Sequence, residues 1–280
     1  MIGKILTAAA PLALLAFLAG PAAAADYARA APAYGPASWA DVSVSAGIAR
    51  WTDNFDNSDT CSVFNGEGRW GTGVGGAVLQ LDASGRSIDC GNQEASLVLL
   101  DQIIMGGSSS PNFDLAAHLG LSGGPGTLYG IMGSIGEEGS YDRFATIAAE
   151  GVWALGFGPS RLIAQAGWST GLNYDESIGY IHGVLDFAIN QDALLSVNLG
   201  YASNDSGQVF WRYGAKGEMA FNPNVSGFIE WKSLHGTQTG YSWDNNTLLV
   251  GATFHVNEGP LATISPLHDY NLATGVNARF

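Results

Sequence analysis

The sequence predicts an all-β protein: a transmembrane, antiparallel, up-and-down β-barrel of about 12 strands. Three observations predict it. Apolar and polar residues alternate with a period of two through many short segments. Turn sequences separate those segments at a nearly constant interval. The apolar rows are rich in aromatic and aliphatic residues and lie opposite ionised ones, an arrangement that a single sheet in water leaves uncovered.

Residues 208–232 show the pattern most clearly. Val209, Trp211, Tyr213, Ala215, Gly217, Met219 and Phe221 form one row, and Phe210, Arg212, Gly214, Lys216 and Glu218 form the other. Asn222-Pro223-Asn224 breaks the run with residues that favour a tight turn. Val225, Gly227, Ile229 and Trp231 then resume an apolar row opposite Ser226, Glu230 and Lys232. In lipid the apolar row is the outside and the polar row faces the interior. Trp211 and Trp231 are expected at equivalent heights on the outer interface.

The ends of the chain set the compartment. Lys4, the apolar run 5–20 and the small residues 22–25 form a secretory signal peptide, 1–25, cleaved before Asp26. No other run approaches the length of a membrane-spanning helix. Without Lys4 the chain keeps 10 Lys and Arg against 25 Asp and Glu, near −15. That balance argues against nucleic acid, whose phosphates need clustered cations. The acidity fits soluble loops, or loops bridged by divalent cations to an anionic lipid surface.

In order, residues 26–38 form an Ala- and Pro-rich leader, and 39–50 a first strand with Val42, Val44, Ala46 and Ile48 on one face. A polar loop with Asp53, Asp56 and Asp59 follows. Two registers fit residues 62–112. In one, 70–82 and 96–105 are single strands. In the other, 63–70 descends, 71–75 turns, 76–83 ascends and 84–112 is one long loop. The second is preferred because it gives cleaner rows and places Cys61 and Cys90 on the same side of the membrane. Two cysteines in an exported chain favour a disulfide, tying the first two outer loops together.

Further strands are expected at 113–121, 128–135, 144–155, 162–169, 180–189 and 194–201, then in the hairpin above, then at 247–256. Turn centres near 125, 159, 191 and 223 lie 34, 32 and 32 residues apart, the repeat of a transmembrane hairpin. The polar segments 137–142, 172–176, 204–207 and 236–244 are expected to be the longer outer loops. An even count puts both ends in the periplasm and closes the barrel (39–256) without a free edge. Residues 257–280 read as a periplasmic tail. Their alternation from Tyr270 to the terminal Phe280, the residue type that barrel-assembly machinery reads, keeps open a last strand replacing 247–256. Trp168, Tyr201, Trp211 and Trp231 are assigned to an outer aromatic girdle, and Trp70, Trp153, Phe221 and Phe254 to an inner one.

The inward rows hold Glu67, Arg69, Asp82, Asp114, His118, Glu150, His182, Asp186, Arg212, Lys216, Glu218, Glu230 and Lys232. These are the expected lumen-lining residues. On the 208–232 hairpin they number three cations and two acids, unlike the acidic remainder, which hints at a transverse field. A twelve-stranded barrel lies between a filled interior and a wide channel, so mixed charges fit either packing or a narrow pore. Asp114 and His118 on one strand and His182 and Asp186 on another, with nearby Ser residues, are the candidate catalytic set. Spacing along different strands does not show the hydrogen-bonded geometry that a Ser–His–Asp arrangement needs. Asp53, Asp56 and Asp59 lack the Gly and terminal Glu of a calcium loop. No catalytic residue, metal or cofactor is therefore assigned.

Several short segments carry a resemblance. They are the Ala/Pro leader before Trp39, Leu79-Gln80-Leu81-Asp82, Ala116-Ala117-His118-Leu119 with the Gly-rich turn after it, Glu150-Gly151, and Gly251-Ala252-Thr253-Phe254. In these the chain resembles the small, porin-like outer-membrane β-barrel proteins of alphaproteobacteria, although that family has a shorter loop at 84–112. The resemblance implies a Gram-negative outer membrane, outer-membrane lipid and barrel-assembly machinery as partners, and no catalytic residues. The expected function is a narrow porin for small hydrophilic solutes. The alternatives are a closed structural or surface-interaction barrel working through its outer loops, and an outer-membrane enzyme.

Overall fold

Where each backbone polar group finds a partner decides the architecture of a chain with this pattern, and here every strand has two neighbours. The structure, a computed structural model, describes residues 38–256 apart from 75, 91–111, 125, 139–141, 156–159, 173–176 and 191. The expected signal peptide, nearly all of the leader and the tail 257–280 lie outside the described residues, as does most of the 84–112 loop.

Twelve strands run in chain order. They are β1 (Ser38–Asp53), β2 (Ser58–Val74), β3 (Ala77–Asp89), β4 (Asn112–Gly124), β5 (Thr127–Glu138) and β6 (Asp142–Ala154). β7 (Arg161–Gly171), β8 (Ser177–Asn190), β9 (Ala193–Asn204), β10 (Val209–Asn222), β11 (Val225–Gln238) and β12 (Tyr241–His255) complete the set. Each pairs antiparallel with the next, and β1 pairs with β12 from Asp41↔His255 to Asp53↔Trp243, so the sheet is a closed barrel. No helix among the described residues is long and apolar enough to cross a membrane.

The period of two separates two environments. Val42, Val44 and Ile48 on β1 are each about half exposed, as are Ile131 and Ile135 on β5 and Val250 on β12. Water would oppose so broad an apolar exterior, and hydrocarbon favours it. The alternate positions point inward and are covered. Val63 and Leu128 are 0% exposed, and Met132 and Leu249 are 1% exposed, so side chains fill much of the interior. Inward glycines accommodate the large ones. A Cβ at Gly251 would collide with the Phe228 ring, and one at Gly120 with Leu128.

The strands extend further than the polar composition of their ends indicated. β11 and β12 pair out to Gln238↔Tyr241, so residues expected to form the 236–244 loop belong to a hairpin turned at Gly240, whose φ is 77°. Tyr241 and Trp243 point inward there and pack with Trp51 and Leu234, and Gly236 leaves room for the Trp243 indole. β2 likewise continues through 71–74, with Val74 paired to Ala77, while β3 runs on to Asp89. Residues 84–89 are therefore strand. Aromatic height needs one correction. Trp211 pairs with His235 but Trp231 pairs with Ala215, so Trp231 lies four residues deeper along β11, packed on Tyr213.

The disulfide Cys61–Cys90 forms one step beyond the Ser62↔Asp89 pair. It clamps the outer end of the β2–β3 hairpin and joins two adjacent strands, where a link between two loops was expected.

Two expected outcomes test this frame. Val250→Arg, placed mid-strand against lipid, costs about 2–4 kcal/mol of folding free energy into bilayers, read by denaturant titration. Cys61→Ser opens a link spanning 29 residues; it lowers stability by about 3 kcal/mol and leaves the heat-modifiable gel migration of a barrel intact.

Candidate functional site

The interior is the candidate site, and its polar side chains fall into four groups. The first crosses the seam where the barrel closes. Asp41 on β1 accepts from His255 Nδ1 at 2.7 Å, and His255 Nε2 lies 3.0 Å from Ser226 Oγ on β11. Ser226 Oγ in turn donates to Glu218 on β10, whose second oxygen is 2.9 Å from Lys216 Nζ. A single polar chain thus runs through β1, β12, β11 and β10.

The second group is a histidine clamp. His118 on β4 is 1% exposed, with Nδ1 2.9 Å from Glu150 Oε2 and Nε2 3.3 Å from Asp82 Oδ2. Glu150 reaches it from β6 past Gly130 on β5, where a Cβ would come within 3.0 Å of the carboxylate. Gln80 donates to both Asp82 oxygens at 2.9 Å, and Tyr180 donates to Gln165 beside Glu150. The third group is smaller: Arg161 Nε meets Asp186 at 2.9 Å, and Ser196 Oγ donates to the same carboxylate.

The fourth group is a recess walled by β2 on one side and by β10 and β11 on the other. Arg69 pairs with Glu67 at 3.0 Å, and Lys232 with Glu230 at 3.1 Å. Lys216 lies 4.3 Å over the Phe228 ring. The free volume is about 10 Å³, the space of one water.

The structure thus gathers Glu67, Arg69, Lys216, Glu218, Glu230 and Lys232 at or beside one recess, and Asp82, His118 and Glu150 in the clamp. Asp114 is buried on the β4 row beside the clamp. Asp186 sits with Arg161. His182 is buried on β8 opposite Gln165, and Arg212 is inward and half-buried on β10. On the hairpin expected to carry a transverse field, Lys216 pairs with Glu218 and Lys232 with Glu230 on their own strands, as Arg69 does with Glu67 on β2.

Asp41, His255 and Arg161 were not singled out from the sequence, and Ser226 was placed on the inward row without a role. Asp41 shares parity with Ser43 and Ser45, and His255 with Thr253, so the alternation carried the signal for both. Arg161 lay one residue outside the expected strand.

Asp41–His255–Ser226 has the order of a Ser–His–Asp relay. Two features oppose acyl chemistry. Ser226 is 0% exposed, and Glu218 shares its Oγ, placing negative charge where a tetrahedral oxyanion would form. The group is a structural chain. The expected outcome is that the refolded barrel and its Ser226→Ala variant hydrolyse a p-nitrophenyl ester at the same background rate; a Ser226-dependent rate would return the site to catalysis.

No family model and no curated protein matches the sequence. Solved structures do match. An outer-membrane channel from Pseudomonas putida F1 is 10% identical, with 80% of this chain and 97% of that one covered and a TM-score of 0.58. The NanC porin is 8% identical, with 75% and 98% covered and a TM-score of 0.52. Both likenesses are of fold. The structural neighbours are outer-membrane β-barrels.

Proposed function

We propose that this barrel lies in a Gram-negative outer membrane and passes small hydrophilic solutes through a narrow lumen. The observation that carries the reading is the polarity of the inner wall, down to inward atoms without a protein partner. Asn65 Oδ1, Asp114 Oδ1, Ser134 Oγ and Asn198 Oδ1 are buried and have no hydrogen-bond partner among the described residues. Such atoms are costly in a dry core and are satisfied where water enters. The thirteen inward residues predicted from the sequence are then lumen-lining, with Asp41, Arg161 and His255 added. The apolar exterior supports outer-membrane lipid as the surrounding solvent. The disulfide fits an oxidising compartment outside the cytoplasm. Two structures of the same fold, described as a channel and a porin, are consistent with permeation. The short sequence segments described above support an alphaproteobacterial source.

A second reading has its own observation. Leu128, Val63, Met132 and Leu249 face inward and are almost wholly covered, which favours a barrel closed inside and acting through its outer loops. Conductance separates the two. In planar bilayers the refolded protein is expected to give small ohmic steps. Arg69→Ala with Lys216→Ala, which removes two long arms from the recess, is expected to raise the step about twofold, as volume opens in the constriction. Silence from both proteins would establish the closed barrel.

A further inference from the structure

We propose that the recess between β2 and the β10–β11 pair is a binding site for a small zwitterion, a compact solute carrying one ammonium and one carboxylate group. The proposal deepens the permeation reading and rests on it for the route by which the solute arrives.

Four features of the recess point to this class. The first is access. Side chains of the clamp and of the Arg161–Asp186 pair are at most 12% exposed, whereas Glu67, Lys232, Lys216 and Arg69 at the recess are 23%, 20%, 17% and 14% exposed, with Glu230 the covered member at 8%. The second is room. The wall between β2 and β11 is built from Ser43, Ser45 and Gly251, and the Phe228 ring folded over Gly251 gives an apolar floor.

The third feature is the order of the charges. β10 descends from the loop end, so Lys216 lies on the loop side of Glu218; β11 ascends, so Lys232 lies on the loop side of Glu230. β2 descends with the opposite order, Glu67 on the loop side of Arg69. Two strands thus present cation-above-acid, and the strand across the recess presents acid-above-cation. A solute of one charge sign is attracted to one wall and repelled by the other. A zwitterion laid across the gap sets its carboxylate against the Lys216 and Lys232 ammonium groups and its ammonium against Glu67. The fourth feature is Asn65 Oδ1, which lines the recess without a partner and is an acceptor for that same ammonium.

The present free volume holds one water because the charged arms are folded on one another. Each ion pair here joins residues two apart on one strand, so side-chain rotation alone exchanges an internal partner for a solute group. Charge-assisted contacts of this kind are worth enough that losing one weakens binding about tenfold.

The test uses the refolded full-length barrel in detergent and in planar bilayers, with glycine as zwitterion, glycolamide as its neutral counterpart and acetate as the lone carboxylate. Saturable glycine binding, read by isotope-edited NMR, is expected at concentrations where glycolamide and acetate bind at least about tenfold more weakly. Glu67→Gln and Lys232→Met are each expected to reduce glycine affinity about tenfold, with heat-modifiable migration showing that both variants fold. In a conducting barrel glycine also lowers the KCl current. Equal binding of glycine and acetate, no saturable glycine binding, or unchanged affinity in both folded variants would overturn the proposal. Glycine binding without any KCl current would uphold the site and overturn permeation, so the two failures are distinct.

Discussion

Closure of β1 on β12 is the constraint on which the rest of the molecule depends. A strand edge in hydrocarbon would leave a row of N–H and C=O groups without water or protein, at several kcal/mol for each group. The long register from Asp41↔His255 to Asp53↔Trp243 removes that edge. Turn contacts reinforce it: His255 N donates to Asn224 O, Val256 N donates to Ala40 O, and Asn224 Nδ2 donates to His255 O. Inside the same seam Asp41, His255, Ser226 and Glu218 connect four strands with side chains. The closure is thus made twice, by backbone bonds within the wall and by a polar chain on its inner surface.

A closed wall in lipid sends the ionised side chains of the mid-strand positions inward, while Arg50, Glu137 and Arg143 face out near the loop ends. The interior must then satisfy those it receives. The clamp around His118 shows how this is done. His118 and Glu150 lie two strands apart, and their contact exists because β5 carries Gly130 between them. The apolar inward residues obey the same geometry, with Phe228 over Gly251 and Leu128 over Gly120. Glycine in these strands sets which large or charged neighbours can meet. The high glycine count of the chain, 39 of 280 residues, has part of its explanation here.

Period and parity were legible in the sequence, since each strand is bathed by two different solvents and alternation records both. Trp211, Met219 and Phe221 face out, and Arg212, Lys216 and Glu218 face in, because lipid and interior impose opposite demands on adjacent positions. Strand ends were less legible. Beyond the hydrocarbon the outer face is wet, so alternation loses its apolar half while backbone pairing continues. That is how Tyr241 and Trp243 came to be inside a strand pair that read as a polar loop. Distances between strands were illegible altogether. The meeting of Asp41 with His255 depends on residues 214 apart, brought together only when the barrel closes.

The distribution of charge separates what is fixed from what can move. Asp186 and His118 are held between partners on different strands and have almost no exposure, so displacing either would leave a buried charge uncompensated. Lys232 and Arg69 pair with acids two residues away on their own strands and keep contact with solvent. Turning those arms changes no backbone bond and exposes no apolar core. A barrel built this way has a rigid clamp between β3 and β6 and an adjustable wall along β10, β11 and β2. On the proposed permeation reading, the passage lies on that adjustable side, where a charge that swings away leaves its partner facing water or the proposed solute.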